Sequence, residues 1–281
     1  MGVIIQLESN CKVHDEVFLS CINNYKTITK LDTSDVVFYI KRHNDPRDSF
    51  YKYVKRNYSN VIFGEVLDFD FYINVTHSSC PEKKRIYSKN RFYITHYWKE
   101  EKHNPQLFYL TPLAKSKNLI KHDGVPFKER TCLSKVPTFT VMGTLSPARR
   151  DYNQILSILK HDFQHDYILK IIGCGSLPQE LEPYLDRIQV YKNLNFVDFH
   201  LALLDTYCML TVSSEQHNID YYTARLTSSI SYIDAYKFSC VIDDKLHDIY
   251  KDMYNLNKSF IYSDMNIIPA FERALHTFYE R

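Results

Sequence analysis

Short apolar and β-branched runs recur along the whole chain, separated by gaps of helical length. In the N-terminal part, Val3–Leu7, Val36–Ile40, Val61–Phe63, Phe71–Val75, Arg91–Thr95 and Gln106–Leu110 read as strands, while Val13–Ile22 and Phe50–Tyr58 have helical spacing. The clearest unit begins near the middle of the chain. Phe139–Met142 predicts a buried strand ending on Gly143. Ser146-Pro147 predicts an N-cap and a first helical position, leading to Ile155, Leu156, Ile158 and Leu159 on one face. Tyr167–Ile172 predicts a second strand, closed by Gly173-Cys174-Gly175. Strand, glycine turn, helix, strand is a βαβ unit with parallel strands. Strands at Ile188–Tyr191, Tyr207–Val212 and Phe238–Ile242 follow, with a short helix at Leu201–Leu204 and a longer one at Tyr222–Tyr236 carrying Leu226, Ile230 and Ile233 on one face. The tail, 266–281, spaces Ile267, Ile268, Phe271, Leu275 and Phe278 as an amphipathic helix.

Alternating strands and helices predict the α/β class, here as two Rossmann-like halves facing a cleft. The stretch Lys115–Pro137 is basic, aperiodic and interrupted by Asp123-Gly124 and prolines, and so links the halves. The expected division is an acceptor-side domain over 1–130, a ligand-binding domain over 131–265, and a terminal helix over 266–281 that reaches back to brace the first domain. In open parallel sheets the ligand lies beyond the carboxyl ends of the strands. Those ends are Gly143-Thr144, Gly173-Cys174-Gly175, Ser213-Ser214 and Asp243-Asp244 in the second half, with Gly64 and His77 in the first.

Composition narrows the classes. The 281 residues suit one large domain or two ordinary ones, and a net charge of +2 argues against a dedicated nucleic-acid binder. Seven cysteines without a CxxC pair read as scattered thiols, and Cys174 and Cys240 read as small hydrophobes beside strands. No apolar window is long enough to span a membrane and the N-terminus lacks a basic signal region, so the expectation is a cytoplasmic protein. Serine-hydrolase, P-loop and zinc-protease motifs are absent, and the glycines do not spell the dinucleotide fingerprint.

The second half resembles the nucleotide-sugar half of GT-B glycosyltransferases. The likeness runs through FTVMGTLSPARRDY, YILKIIGCG, NLNFVDFHLALLDTYCMLTVSS and YYTARLTSSISYIDAYKFSCVIDD, about half of the chain. It implies a GT-B fold and transfer of a sugar from a nucleotide sugar, a UDP-sugar for preference, to a glycan acceptor. The donor diphosphate would face the start of the helix in the last segment. Many GT-B enzymes hold the donor ribose with a glutamate near Thr223–Ser229; this chain has Thr227, Ser228 and Ser229 there. Compactness and an aromatic- and asparagine-rich composition also resemble small glycosyltransferases of large algal DNA viruses (chloroviruses), which implies a host-cytoplasmic location and makes UDP-xylose one candidate donor.

The chemistry assigns roles. A departing diphosphate needs positive charge and amide donors. Arg149, Arg150, Arg225 and the amides after Tyr222 suit it, and Gly143, Thr144, Gly173, Ser213, Ser214, Thr223, Thr227 and Ser228 complete the donor-side set. An inverting transferase needs a base for the acceptor hydroxyl. His77 is the first candidate, with Asp68, Asp70 and His96 as rivals. Asp68-Phe69-Asp70 also matches the metal-holding triplet of GT-A transferases, an alternative in which a divalent cation holds the diphosphate. In the GT-B reading no metal or other cofactor is expected. Tyr93, Tyr97 and Trp98 are candidates for stacking on an acceptor sugar. A non-catalytic sugar- or nucleotide-binding protein would share the same architecture.

Overall fold

The computed structural model describes residues 2–9, 15–41, 48–75, 90–95, 105–114, 116–122, 134–256 and 258–281. The chain divides into two units: 1–125 with the short pieces 195–197 and 224–226, and 126–194 with 198–223 and 227–281.

The first unit is built on six parallel strands, β1 (Val3–Ser9), β2 (Val36–Lys41), β3 (Val61–Phe63), β4 (Phe71–Val75), β5 (Arg91–Thr95) and β6 (Leu107–Tyr109), in the order β3-β2-β1-β4-β5-β6. Every strand read from the sequence forms here, within one or two residues. Helices α1 (Asp15–Asn23), α2 (Tyr25–Thr29) and α3 (Ser49–Asn57) fill the first two crossovers. α3 starts where the Asp48 side chain accepts the Phe50 N–H at 2.8 Å. That cap satisfies one of the donors a helix start leaves open.

The second unit repeats the plan. Strands β7 (Thr138–Leu145), β8 (Ile168–Gly175), β9 (Ile188–Lys192), β10 (Thr206–Leu210), β11 (Ser239–Asp243) and β12 (Ser259–Tyr262) are parallel and run β12-β11-β10-β7-β8-β9. In each sheet the first strand is central, the next two lie on one side and the last three on the other. This is the doubly wound Rossmann order. Beside the sheet are α4 (Tyr152–Lys160), a 3-10 helix (Gln179–Arg187), α5 (Phe196–Leu203), α6 (Asp220–Thr223), α7 (Ser228–Tyr236), α8 (Asp244–Tyr250) and α9 (Ile268–Tyr279).

Several expectations are corrected. α4 begins at Tyr152, not at Ser146-Pro147. Residues 146–150 are a turn in which the N–H groups of Arg149 and Arg150 both donate to Ser146 O, and Asp151 is the cap, accepting from Asn153 N at 3.2 Å. The helix expected over Tyr222–Tyr236 is two helices, because Thr227 takes an extended conformation (φ −89°, ψ 121°). A β-branched residue followed by two serines suits a helix start better than a helix interior. The terminal helix does not need the first unit to bury its apolar face. Ala270, Phe271, Ala274 and Leu275 of α9 lie in the second unit's core with Phe139, Tyr152, Ile155 and Tyr207. The Phe271 ring sits 4.1 Å from that of Phe139, 4.9 Å from Phe163 and 5.1 Å from Tyr167, and Tyr207 Oη donates to Ala274 O at 3.0 Å. Tyr93, an expected stacking residue, is buried in a small cluster with Leu107, Tyr109 and Ala114. Cys240 is buried as expected, whereas Cys174 is exposed.

Phe271 therefore locks α9 to the sheet. Phe271→Ala should destabilise the second unit by about 3–5 kcal/mol, and Phe271→Leu by clearly less, in urea unfolding. A loss under about 1 kcal/mol for the alanine variant would show that α9 docks without it.

Candidate functional site

A doubly wound sheet opens a crevice where the connections from two adjacent strands leave in opposite directions. In the second unit that point is between β7 and β10, which pair directly. The loops leaving these two strands are tied together. Asp151 N donates to Val212 O at 2.9 Å, and Asn218 Nδ2 donates to Ala148 O at 3.3 Å.

The glycines at this end serve close packing. Gly143 (φ +117°) and Gly173 are register partners on β7 and β8. A Cβ on Gly173 would overlap the Gly143 carbonyl oxygen, and a Cβ on Gly143 would overlap Arg150 Nη2. Arg150 is 2% exposed, and its Nη2 donates to Met142 O at 2.5 Å. Its Nε and Nη1 have no partner among the described residues, and burial lowers its pKa. The guanidinium is thus a prop beneath the β7 turn. This corrects the expectation that Arg150 reaches outward to a ligand. Arg149, half-buried in the same turn, is the accessible cation of the pair.

The remaining expected residues sort by exposure. Thr144 and Ser228 are exposed. Ser213, Ser214, Tyr222 and Thr227 are buried. Tyr222 Oη donates to Ser213 O at 3.0 Å, and Tyr262 Oη lies 2.9 Å from Gln154 Oε1 and 3.3 Å from Ser213 O. Burial pushes both phenols above their ordinary pKa and raises the Asp243 carboxyl. These groups form a floor under the crevice rather than its surface. Thr223 is exposed and bonds back to Ile219 O at 2.9 Å, and Arg225 is half-buried and groups with the first unit.

α7 lies against β7. Its N-cap, Thr227, makes no side-chain bond to a helix amide; its Oγ1 lies 3.2 Å from Ser229 Oγ. The first-turn amides are therefore not capped by that residue, the arrangement that favours an anion. His200, fully buried on α5, has its Nδ1 2.7 Å from Tyr236 Oη on α7. Burial lowers the His200 pKa to about 4. A cavity of about 320 Å³ on the same unit is lined by Lys170, Tyr191, Leu194, Asp198, Leu201 and Asp205; it runs along α5, not at the β7–β10 crevice.

In the first unit, Asp68 and Asp70 precede β4 and lie at the amino end of the sheet, where Asp70 Oδ2 accepts Ile4 N at 2.8 Å. The carboxyl ends of that sheet's strands, where a ligand was expected, are at its other end, so the geometry gives Asp70 a backbone-capping role in place of the proton-accepting one. Among the described residues no group of three or more His, Cys, Asp or Glu could hold a metal ion. β4 ends at Val75; His77, two positions on, lies outside the described residues, as do His96, Tyr97 and Trp98. The sequence reading passed over Asp151 and His217, which meet beside Ser214, with Asp151 Oδ2 3.5 Å from His217 Nδ1. No motif marks them; only the pairing of β7 with β10 brings them together.

No family model and no curated protein matches this chain. Solved structures do. A lipopolysaccharide outer core galactosyltransferase, WaaB in its apo form, aligns at 12% identity over 98% of this chain and 91% of its own, with a TM-score of 0.52. AviGT4, a glycosyltransferase of avilamycin A biosynthesis, aligns at 10% identity over 98% and 88%, with a TM-score of 0.55. HepE from Anabaena, in complex with UDP and glucose, aligns at 9% identity over 100% and 95%, with a TM-score of 0.51. The chain has the GT-B fold. With two six-stranded parallel sheets in the same winding order, it carries the GT-B architecture in 281 residues. No helix among the described residues is long and apolar enough to cross a membrane.

The buried imidazole gives a pH signature to the unit that carries the crevice. His200 titrates near 4 when folded and near its ordinary 6.5 when unfolded, so acid protonates the unfolded chain first. Stability should be unaffected above pH 6.5, fall as pH drops below it, and reach a total loss of about 3 kcal/mol near pH 4 from this residue. Denaturant melts of His200→Gln and wild type should converge as pH falls; an unchanged difference between pH 7 and 4.5 would refute this.

Proposed function

We propose that this chain is a glycosyltransferase, moving a sugar from a nucleotide-sugar donor to a glycan acceptor. The observation that carries the reading is the β7–β10 crevice, with α7 amides that the Thr227 side chain does not cap, an accessible arginine and a tight glycine turn at one end of one sheet. The GT-B fold supports it. The UDP and glucose bound in HepE favour a uridine donor, and UDP-xylose is one of the donors to include in a screen.

Breaking the anomeric bond leaves negative charge on the diphosphate. The α7 amides and Arg149 would stabilise that charge as it develops. Gly143 keeps the β7 turn tight over Arg150, and the exposed Thr144 beside it would face the donor. The acceptor hydroxyl must lose a proton as it attacks, and His77 keeps that role in the proposal, because a neutral imidazole is a competent base near pH 7. The mechanism uses amides and cations where a GT-A enzyme uses a metal.

UDP should raise the melting temperature, since a ligand that binds only the native state adds to its stability. Arg149→Ala should weaken UDP binding by about 1–3 kcal/mol, while Arg150→Ala should first lower thermal stability. Turnover of a UDP-sugar should persist in EDTA; abolition by EDTA with recovery in manganese would return the Asp68/Asp70 metal reading. Separately, His77→Ala should lower the transfer rate by about 10²–10⁴-fold with donor affinity nearly intact. A normal rate in that variant would exclude His77 as the base, and tight binding without any turnover in the wild type would favour a binding protein.

A further inference from the structure

His217 stands at the crevice with one nitrogen anchored and the other without a hydrogen bond among the described residues. β10 ends at Leu210, and the chain continues through Val212 (φ +35°) and Ser214 to a turn in which His217 N and Asn218 N donate to Ser214 O at 3.1 and 3.0 Å. That turn is clasped to the loop leaving β7 by the Asp151–Val212 and Asn218–Ala148 bonds. The imidazole Nδ1 lies 3.1 Å from Ser214 Oγ and 3.5 Å from Asp151 Oδ2. Ser214 and Asp151 are each only 2% exposed, whereas the His217 side chain is 36% exposed. Both contacts use Nδ1. Nε2 makes no hydrogen bond to the described residues.

The carboxylate and the hydroxyl beside Nδ1 orient the ring, and with Ser214 Oγ–H donating to Nδ1 the ring proton lies on Nε2, which is then a donor. The loop leaving β7 brings two arginines, Arg149 and Arg150, against a single carboxylate, Asp151. Glu215, the next acidic group along the β10 loop, is held by Lys245. The local balance is positive and suits a group of two negative charges.

We propose that His217 is a donor-binding residue whose Nε2 hydrogen-bonds the diphosphate of the nucleotide sugar, with Asp151 and Ser214 as its positioning residues. The proposal rests on the nucleotide-sugar reading above. It involves no covalent step: the imidazole donates a hydrogen bond to a phosphoryl oxygen and releases it when the nucleotide leaves.

Calorimetric titration of wild type, His217→Ala and His217→Asn with UDP and with uridine tests it. UDP should bind His217→Ala about tenfold more weakly than wild type, the scale of a charge-assisted hydrogen bond. Uridine, lacking phosphate, should bind all three alike, and His217→Asn, which keeps an N–H donor, should recover part of the loss. Equal UDP affinity in wild type and His217→Ala overturns the proposal. So does a parallel fall for UDP and uridine, which would mark His217 as a structural residue of the loop; the asparagine variant reports the same ratio if the alanine variant folds poorly. Failure of the wild type to bind any of UDP, ADP and GDP would instead overturn the nucleotide-sugar reading itself, and this proposal with it.

Discussion

Parallel pairing governs this molecule. Every connection must carry the chain from the carboxyl end of one strand back to the amino end of the next, and right-handed crossovers leave only two faces on which to do it. When the winding reverses at the central strand, the loops leaving two neighbouring strands part company. In the second unit those strands are β7 and β10, and both of the loops that matter leave from them. The crevice is thus a consequence of connectivity, present before any side chain is chosen.

Side chains then decide what the crevice can hold. Burying the Arg150 guanidinium with two of its nitrogens unpartnered among the described residues is costly, and it persists where Gly143 leaves the space and Met142 offers its carbonyl. That cation, with Gly143 and Gly173 pressed together above it, fixes the shape of the β7 turn. The tyrosine floor does the same for the β10 loop: Tyr222 and Tyr262 both converge on the Ser213 carbonyl, so a non-glycine residue at positive φ, Val212, is held in place by bonds on either side. A rigid surround of this kind is what a binding site for a charged group requires, because donors already in position need no reordering when the ligand arrives.

Strand identity was legible in the sequence because the strands of a buried parallel sheet are nearly continuous apolar runs, as at Phe38–Ile40 and Phe139–Met142. The βαβ period, the two-unit division and the carboxyl ends at Gly143, Gly173 and Ser213 followed from that local pattern. Less legible were the elements whose stability is not local. β12 and α8 form short segments of mixed polarity that gain order from pairing with β11 and packing beside it. Thr227 interrupts a helical pattern that spacing alone would continue from Tyr222 to Tyr236.

Charge and exposure were the tertiary structure's to decide. Two adjacent arginines read alike in the sequence, yet the turn buries Arg150 beneath Gly143 and leaves Arg149 accessible. Asp70 read as a candidate base; the sheet puts it at the amino end, bound to Ile4. Asp151 and His217 lie 66 positions apart with no motif to connect them, and they meet only because β7 pairs with β10. Apolar periodicity is a property of neighbours along the chain and survives in the sequence. The direction, burial and partner of a polar group depend on which distant strand lies alongside, and that is set only when the sheet is assembled.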